Sequence, residues 1–184
     1  MVEQPNRGEQ EQRLVAALRG TFDVSVMNFG SYNILYAANL EANDARAVLP
    51  GESADSVQDA VSMAEHLLVG YRRQPTEIVL CPVDLAEAMP RITGAAADPA
   101  DDATPRVPLP VNMTNLAGMA AEGDAERASV TIALSTGHRV VLDVRGRVSF
   151  DELPEVTLDQ RRDVRDFTEF VDFFLDRLED MNPV

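Results

Sequence analysis

The clearest alternation of apolar and polar positions lies in the second half of the chain. Val130, Ile132 and Leu134 alternate with Thr131, Ala133 and Ser135, and Val140, Leu142 and Val144 alternate with Val141, Asp143 and Arg145. Ser135-Thr136-Gly137-His138 lies between them, and Gly137 can take positive φ there. Period-two alternation on both sides of a glycine turn predicts a β-hairpin with one apolar face. That face needs a cover.

The cover follows Pro154. At about 100° per residue, Val164, Phe167, Phe170, Val171, Phe174, Leu175, Leu178 and Met181 share an arc of roughly 140°. The other side carries Arg165, Asp166, Glu169, Asp172, Asp176, Glu179 and Asp180. This predicts a long C-terminal amphipathic helix lying on the hairpin. Thr157-Leu158-Asp159-Gln160 fits a capping box, with Thr157 as N-cap and Gln160 reaching back to its amide. Phe173 breaks the stripe, about 130° from its centre and among carboxylates. It reads as a rim aromatic against a loop, or as a contact for a partner or a second copy.

Upstream, 9–19 predicts a short helix with Leu14, Val15 and Leu18 on one side and Gly20 as its stop. The run 22–29 alternates, Gly30-Ser31 can turn, and 32–40 is apolar on both faces, predicting a second hairpin with an interior strand. A polar connection over 41–53, punctuated by Pro50-Gly51, leads to a second helix over 54–73. Its face would hold Val57, Ala60, Val61, Met63, Ala64, Leu67, Leu68 and Tyr71. Ser53, Asp55 or Ser56 would cap it, and Arg72-Arg73 would sit at its negative end.

The run 77–81 is strand-like, and Pro82 ends it or sets it at a sheet edge. Asp84 would cap a helical turn through Met89, closed by Pro90. The segment 94–110 reads as a mobile acidic loop whose Pro105, Pro108 and Pro110 favour extended backbone. Residues 111–119 would add one strand or a short helix. The whole reads as one α+β domain over 1–184. Its predominantly antiparallel sheet would be built from two hairpins, with helices packed on one face.

Charge narrows the partners. The net charge is −15 and the pI about 4.4, which disfavours phosphate backbones and anionic membranes. The field either keeps the protein soluble or steers a basic protein partner to it, and the partner expected is a protein or, by self-association as a homodimer, a second copy. All sixteen basic residues are arginine, so lysine Schiff-base chemistry and a Walker lysine are excluded. The single cysteine, Cys81, excludes an internal disulfide and suggests a reducing compartment. The first thirteen residues are polar, and no apolar run approaches the ~18 residues of a membrane span. The cytoplasm is the expected location.

Candidate chemistry is sparse. His66 is expected on the solvent side of its helix and His138 in the hairpin turn, neither with a Cys or carboxylate at ligand spacing. Cys81 reads as a small buried residue. Asp98, Asp101 and Asp102 lack the glycine and closing glutamate of an EF-hand and read as a solvated loop. Asp143 with Asp151 and Glu152 could do acid–base work only by sharing a cleft. Arg145-Gly146-Arg147 is a basic island, either a solvated turn or a docking point for carboxylates. No catalytic set, metal set or cofactor is predicted.

In element order and acidity the chain resembles the type III secretion chaperone-like fold, whose small acidic α+β dimers hold client segments. The order also resembles a pleckstrin-homology-like barrel closed by a C-terminal helix. The favoured expectation is a non-enzymatic interaction module, chaperone-like or adaptor-like, with Phe173, Arg145 and Arg147 as partner-binding residues. The alternative is a small-molecule-binding or enzymatic domain. Its pocket would lie between sheet and helices, lined by Tyr32, Tyr36 and methionines.

Overall fold

Residues 7–48, 56–94 and 98–181 are described by a computed structural model. The readings at Pro50-Gly51, Ser53 and Asp55, and the start of the acidic loop at 95–97, lie outside the described residues. The fold is α+β. In chain order it runs α1 (Arg7–Ser25), a 3-10 turn (Phe29–Ser31), β1 (Asn33–Asn39), α2 (Ala42–Val48) and α3 (Val57–Met63). Then come β2 (His66–Arg73), β3 (Thr76–Pro82), α4 (Leu85–Thr93), β4 (Leu109–Val111) and β5 (Leu116–Gly123). The chain continues with β6 (Arg127–Leu134), β7 (Arg139–Arg145), β8 (Arg147–Phe150), β9 (Leu153–Asp159) and α5 (Arg161–Met181).

Seven strands form one antiparallel sheet in the order β4-β3-β2-β1-β7-β6-β5, and β8 pairs with β9 in a small second sheet. The hairpin expected from alternation is β6–β7, with Val130 opposite Leu142 and Ile132 opposite Val140. Gly137 takes φ +92° in its turn, a region that disfavours side chains. The amphipathic helix is α5. Val164, Phe167, Phe170, Val171 and Phe174 are buried against Leu35, Val69, Tyr71, Val130 and Leu142. Met181 is 62% exposed, so the stripe ends before it.

Helices cover both faces of the central strands, not one. Residues alternating with the first set, Tyr36, Leu68, Val79 and Cys81, pack with α1, α4, β8 and β9 in a second cluster. The strands β1, β2 and β3 are apolar on both sides, so each face needs its own layer.

Three elements differ from the expectation. The segment 54–73 is not one helix: α3 stops at Met63, and His66–Arg73 is the buried strand β2. Spacing alone allowed both, because a strand buried on both faces loses its alternation. The segment 22–29 is not a strand. The helix α1 passes through Gly20 to Ser25 and buries Phe22 completely. Gly20 serves close approach instead: a Cβ there would lie 2.7 Å from the Ala100 backbone. Thr157 lies in β9 and caps nothing; α5 begins at Arg161.

Gln160 has a different role from capping. Its buried amide accepts from the Tyr36 N–H at 2.9 Å and donates to the Tyr36 and Arg145 carbonyls at 2.8 and 2.9 Å. The strand β1 pairs with β7 only at Ala38 and Asn39. Gln160 therefore supplies the bonds that a neighbouring strand would give at Tyr36. Elsewhere Asp84 caps α4 as expected, and α4 continues through Pro90 to Thr93. The segment 111–119 contributes to two strands, β4 and β5. In the acidic segment, Arg91 donates to the Pro99 carbonyl and Ser25 accepts from the Arg106 N–H.

Candidate functional site

Besides a recess of about 200 Å³ between α1, β1 and the start of α5, lined by Leu18, Ile34, Tyr36, Gln160 and Asp163, the fold has two recesses at opposite ends of β2. The first is a pocket of about 310 Å³ beside His66, lined also by Tyr36, Glu65, Asp143, Arg145, Phe150 and Glu152. Being on β2, His66 faces this pocket and not open solvent. Its Nδ1 is 2.7 Å from the Tyr36 hydroxyl and its Nε2 is 3.4 Å from the Glu152 carboxylate. Tyr36 and Phe150 pack edge to face at 5.0 Å. Burial, then the nearby Glu152 and Asp143, raises the Tyr36 hydroxyl above its ordinary pKa, so it stays protonated.

Asp143, whose side chain is 4% exposed, is held by Arg127 at 3.0 Å and Arg145 at 2.8 Å. The cleft that the paired carboxylates required therefore exists, and it adds a histidine and a tyrosine. Within it Asp143 is clamped by guanidinium groups and Glu152 faces His66.

The second recess is an open groove of about 660 Å³ between the β2–β3 turn, the loop after β4, and α5. Its walls carry Arg72, Arg73, Pro75, Met113, Phe173 and Arg177. Asparagines fix the loop bearing Met113. Asn112 Oδ1 accepts from the Thr114 N–H and hydroxyl, and Asn115 donates to the Pro110 carbonyl. Phe173 is half-buried here, 6.5 Å from Phe170 across tilted rings, so the residue that broke the helical stripe is a groove wall.

The three groove arginines differ. Arg72 donates to Glu77 at 2.8 Å and to Ser31 at 2.9 Å, and lies 4.4 Å over the Tyr32 ring. Tyr32 donates to the same Glu77 oxygen at 2.7 Å, and burial followed by that bond pushes its pKa up to about 12. Arg73 lies over Phe170 and Phe173 at 5.9 and 6.0 Å, and its one carboxylate, Asp166, is 3.9 Å away. Arg177 lies 5.9 Å from the Phe173 centroid and makes no hydrogen bond or ion pair among the described residues. Two guanidinium groups thus flank one aromatic ring with most donors unengaged among the described residues.

The other candidates lie elsewhere. Arg145 lines the His66 pocket, and exposed Arg147 opens β8 opposite Asp159, so neither meets Phe173. His138 has a carboxylate the spacing did not reveal. Asp59 on α3 is 2.7 Å from Nε2, while Thr136 is 2.8 Å from Nδ1. Hydrogen bonds from His138 and Ser56 lower the Asp59 pKa. Cys81 is fully buried, and burial pushes its thiol up to about 11. Asp98 closes a turn by accepting from the Ala100 and Asp101 N–H groups.

Among the described residues no group of three His, Cys, Asp or Glu could hold a metal, and no helix is long and apolar enough to cross a membrane. The groove residues sequence reading missed are Arg73, Met113 and Arg177, contributed by three separate elements. Compared with protein-family models, curated proteins and solved structures, the chain matches none of them.

Proposed function

We propose that the protein is a non-enzymatic interaction module that docks a segment of another polypeptide in the groove walled by Phe173. One observation carries this reading: a half-buried aromatic ring sits between two guanidinium groups whose hydrogen-bonding capacity is largely unmet among the described residues. Aromatic and arginine side chains contribute disproportionately to docking surfaces. The test compares co-purification from extracts of the source cell by the parent protein and by Phe173→Asp. A species retained by the parent and lost on the variant is expected. Identical captured sets would remove the groove from the reading.

The alternative, a small-molecule or enzymatic site, draws on the Glu152–His66–Tyr36 chain in the pocket. Its ligand would have to replace bonds those groups already make to one another. Ring-proton shifts of His66 on adding small amines or acids would support it. A silent His66 would count against it.

A further inference from the structure

We infer that the groove is built for an acidic, extended segment of a partner polypeptide, its carboxylates held by Arg73 and Arg177 and an adjoining apolar side chain seated on Phe173 and Met113. This rests on the interaction reading above and adds the partner's chemistry to it. The chain has 31 acidic residues against 16 basic ones, so carboxylates for internal pairing are plentiful. Arg177 nevertheless has no carboxylate partner among the described residues, and Arg73 has only the long contact to Asp166 at 3.9 Å.

At 5.9 and 6.0 Å from the Phe173 centroid the two guanidinium groups of Arg177 and Arg73 are near the ring without being held by it, so their N–H donors stay available to a carboxylate. The walls hold three arginines and one glutamate, and that Glu77 is engaged by Arg72 and Tyr32. The groove is therefore cationic on a protein of net charge −15. Complementarity of sign selects an acidic occupant locally, and salt at physiological strength screens the rest of the surface beyond ~8 Å. A nucleic acid would add many phosphates against the overall charge for two available guanidinium groups. A peptide needs one or two carboxylates, and the Phe173, Met113 and Pro75 walls give its apolar residues somewhere to lie.

The experiment selects a displayed library of random decapeptides on the parent protein and measures the recovered peptides by fluorescence anisotropy. Recovered sequences should carry Asp or Glu beside a large apolar residue. Arg73→Gln and Arg177→Gln should each weaken them roughly tenfold, with the unfolding midpoint unchanged. Changing the peptide's Asp to Asn should weaken binding to the parent similarly, an arm that needs no protein variant. Neutral or basic winners, indifferent to the arginine variants yet lost on Phe173→Asp, would overturn the acidic occupant and leave the docking groove standing. Winners that bind Phe173→Asp equally well, winners displaced by a second copy of the chain, or no winners at all would overturn this inference, and the first and last would also overturn the interaction reading.

Discussion

The two recesses at the ends of β2 hold similar kinds of side chain in opposite states. In the His66 pocket the polar groups are engaged with one another: Tyr36 with His66, His66 with Glu152, Asp143 with Arg127 and Arg145. In the Phe173 groove, Arg73 and Arg177 have rings beneath them but few acceptors. Titratable groups crowded into a cavity are therefore a weak sign of a ligand site. Unmet donors beside an apolar wall are a stronger one, since a ligand gains bonds there without breaking any.

The largest test of this contrast concerns what holds the groove wall in place. Phe174 is fully buried, 5.8 Å from Phe170 on the same helix. Phe174→Ala should cost about 3–5 kcal/mol through the cavity it leaves. Denaturant unfolding reads this directly, and an unshifted midpoint would mean that α5 does not seat as described.

Gln160→Leu comes next and acts on the pocket side. It strips partners from the Tyr36 N–H and from the Tyr36 and Arg145 carbonyls. A loss of about 2–4 kcal/mol is expected, because buried main-chain groups are left unpaired. Amide exchange at Tyr36 should speed up before exchange in β6 does. Unchanged protection at Tyr36 would show that Gln160 is not the surrogate strand.

Tyr36→Phe tests the pocket itself and should cost about 1 kcal/mol, since His66 Nδ1 loses its partner. The hydroxyl also has a pH signature. Its folded pKa lies above the ordinary 10.0, so the neutral form is the one the fold favours. The associated stability is complete below pH 10, and is lost as pH rises through 10 toward the folded value. In strong alkali the parent should therefore lose its advantage over Tyr36→Phe and fall below it, because ionising a buried hydroxyl costs the fold more than its hydrogen bond contributes. A parent advantage that grows with pH would reverse the sign.

How much of this was legible follows from where the partners lie in the chain. The α5 stripe and the β6–β7 alternation were readable because each element has one buried face, and burial then imposes its period on the sequence. The strand β2 was not readable, since Leu67, Leu68, Val69 and Tyr71 are buried on both faces and their spacing also suits a helix. Gly70 was the overlooked signal. A Cβ there would lie 2.5 Å from the Phe22 ring, so the glycine marks where α1 presses on the sheet. At the site, Phe173 was visible as a misfit on its own helix. Its companions Arg73 and Met113 come from distant segments, and only the β2–β3–β4 pairing brings them beside α5.

The smallest expected effect on stability decides most about the groove. Arg177 is exposed and donates no bond among the described residues, so Arg177→Gln should move the unfolding free energy by no more than about 0.5 kcal/mol. The contact with the Phe173 ring, 5.9 Å to its centroid, sets the upper end of that figure, because exposed cation–π contacts are weak. Tyr36→Phe at the other end of β2 should cost measurably more in the same assay, although it removes one atom and no charge. If Arg177→Gln proves the more damaging of the two, its guanidinium is structural and is not a donor in reserve for a ligand. If it is silent in unfolding and also silent toward acidic peptides, the contrast between a closed network and an open one does not mark function in this fold.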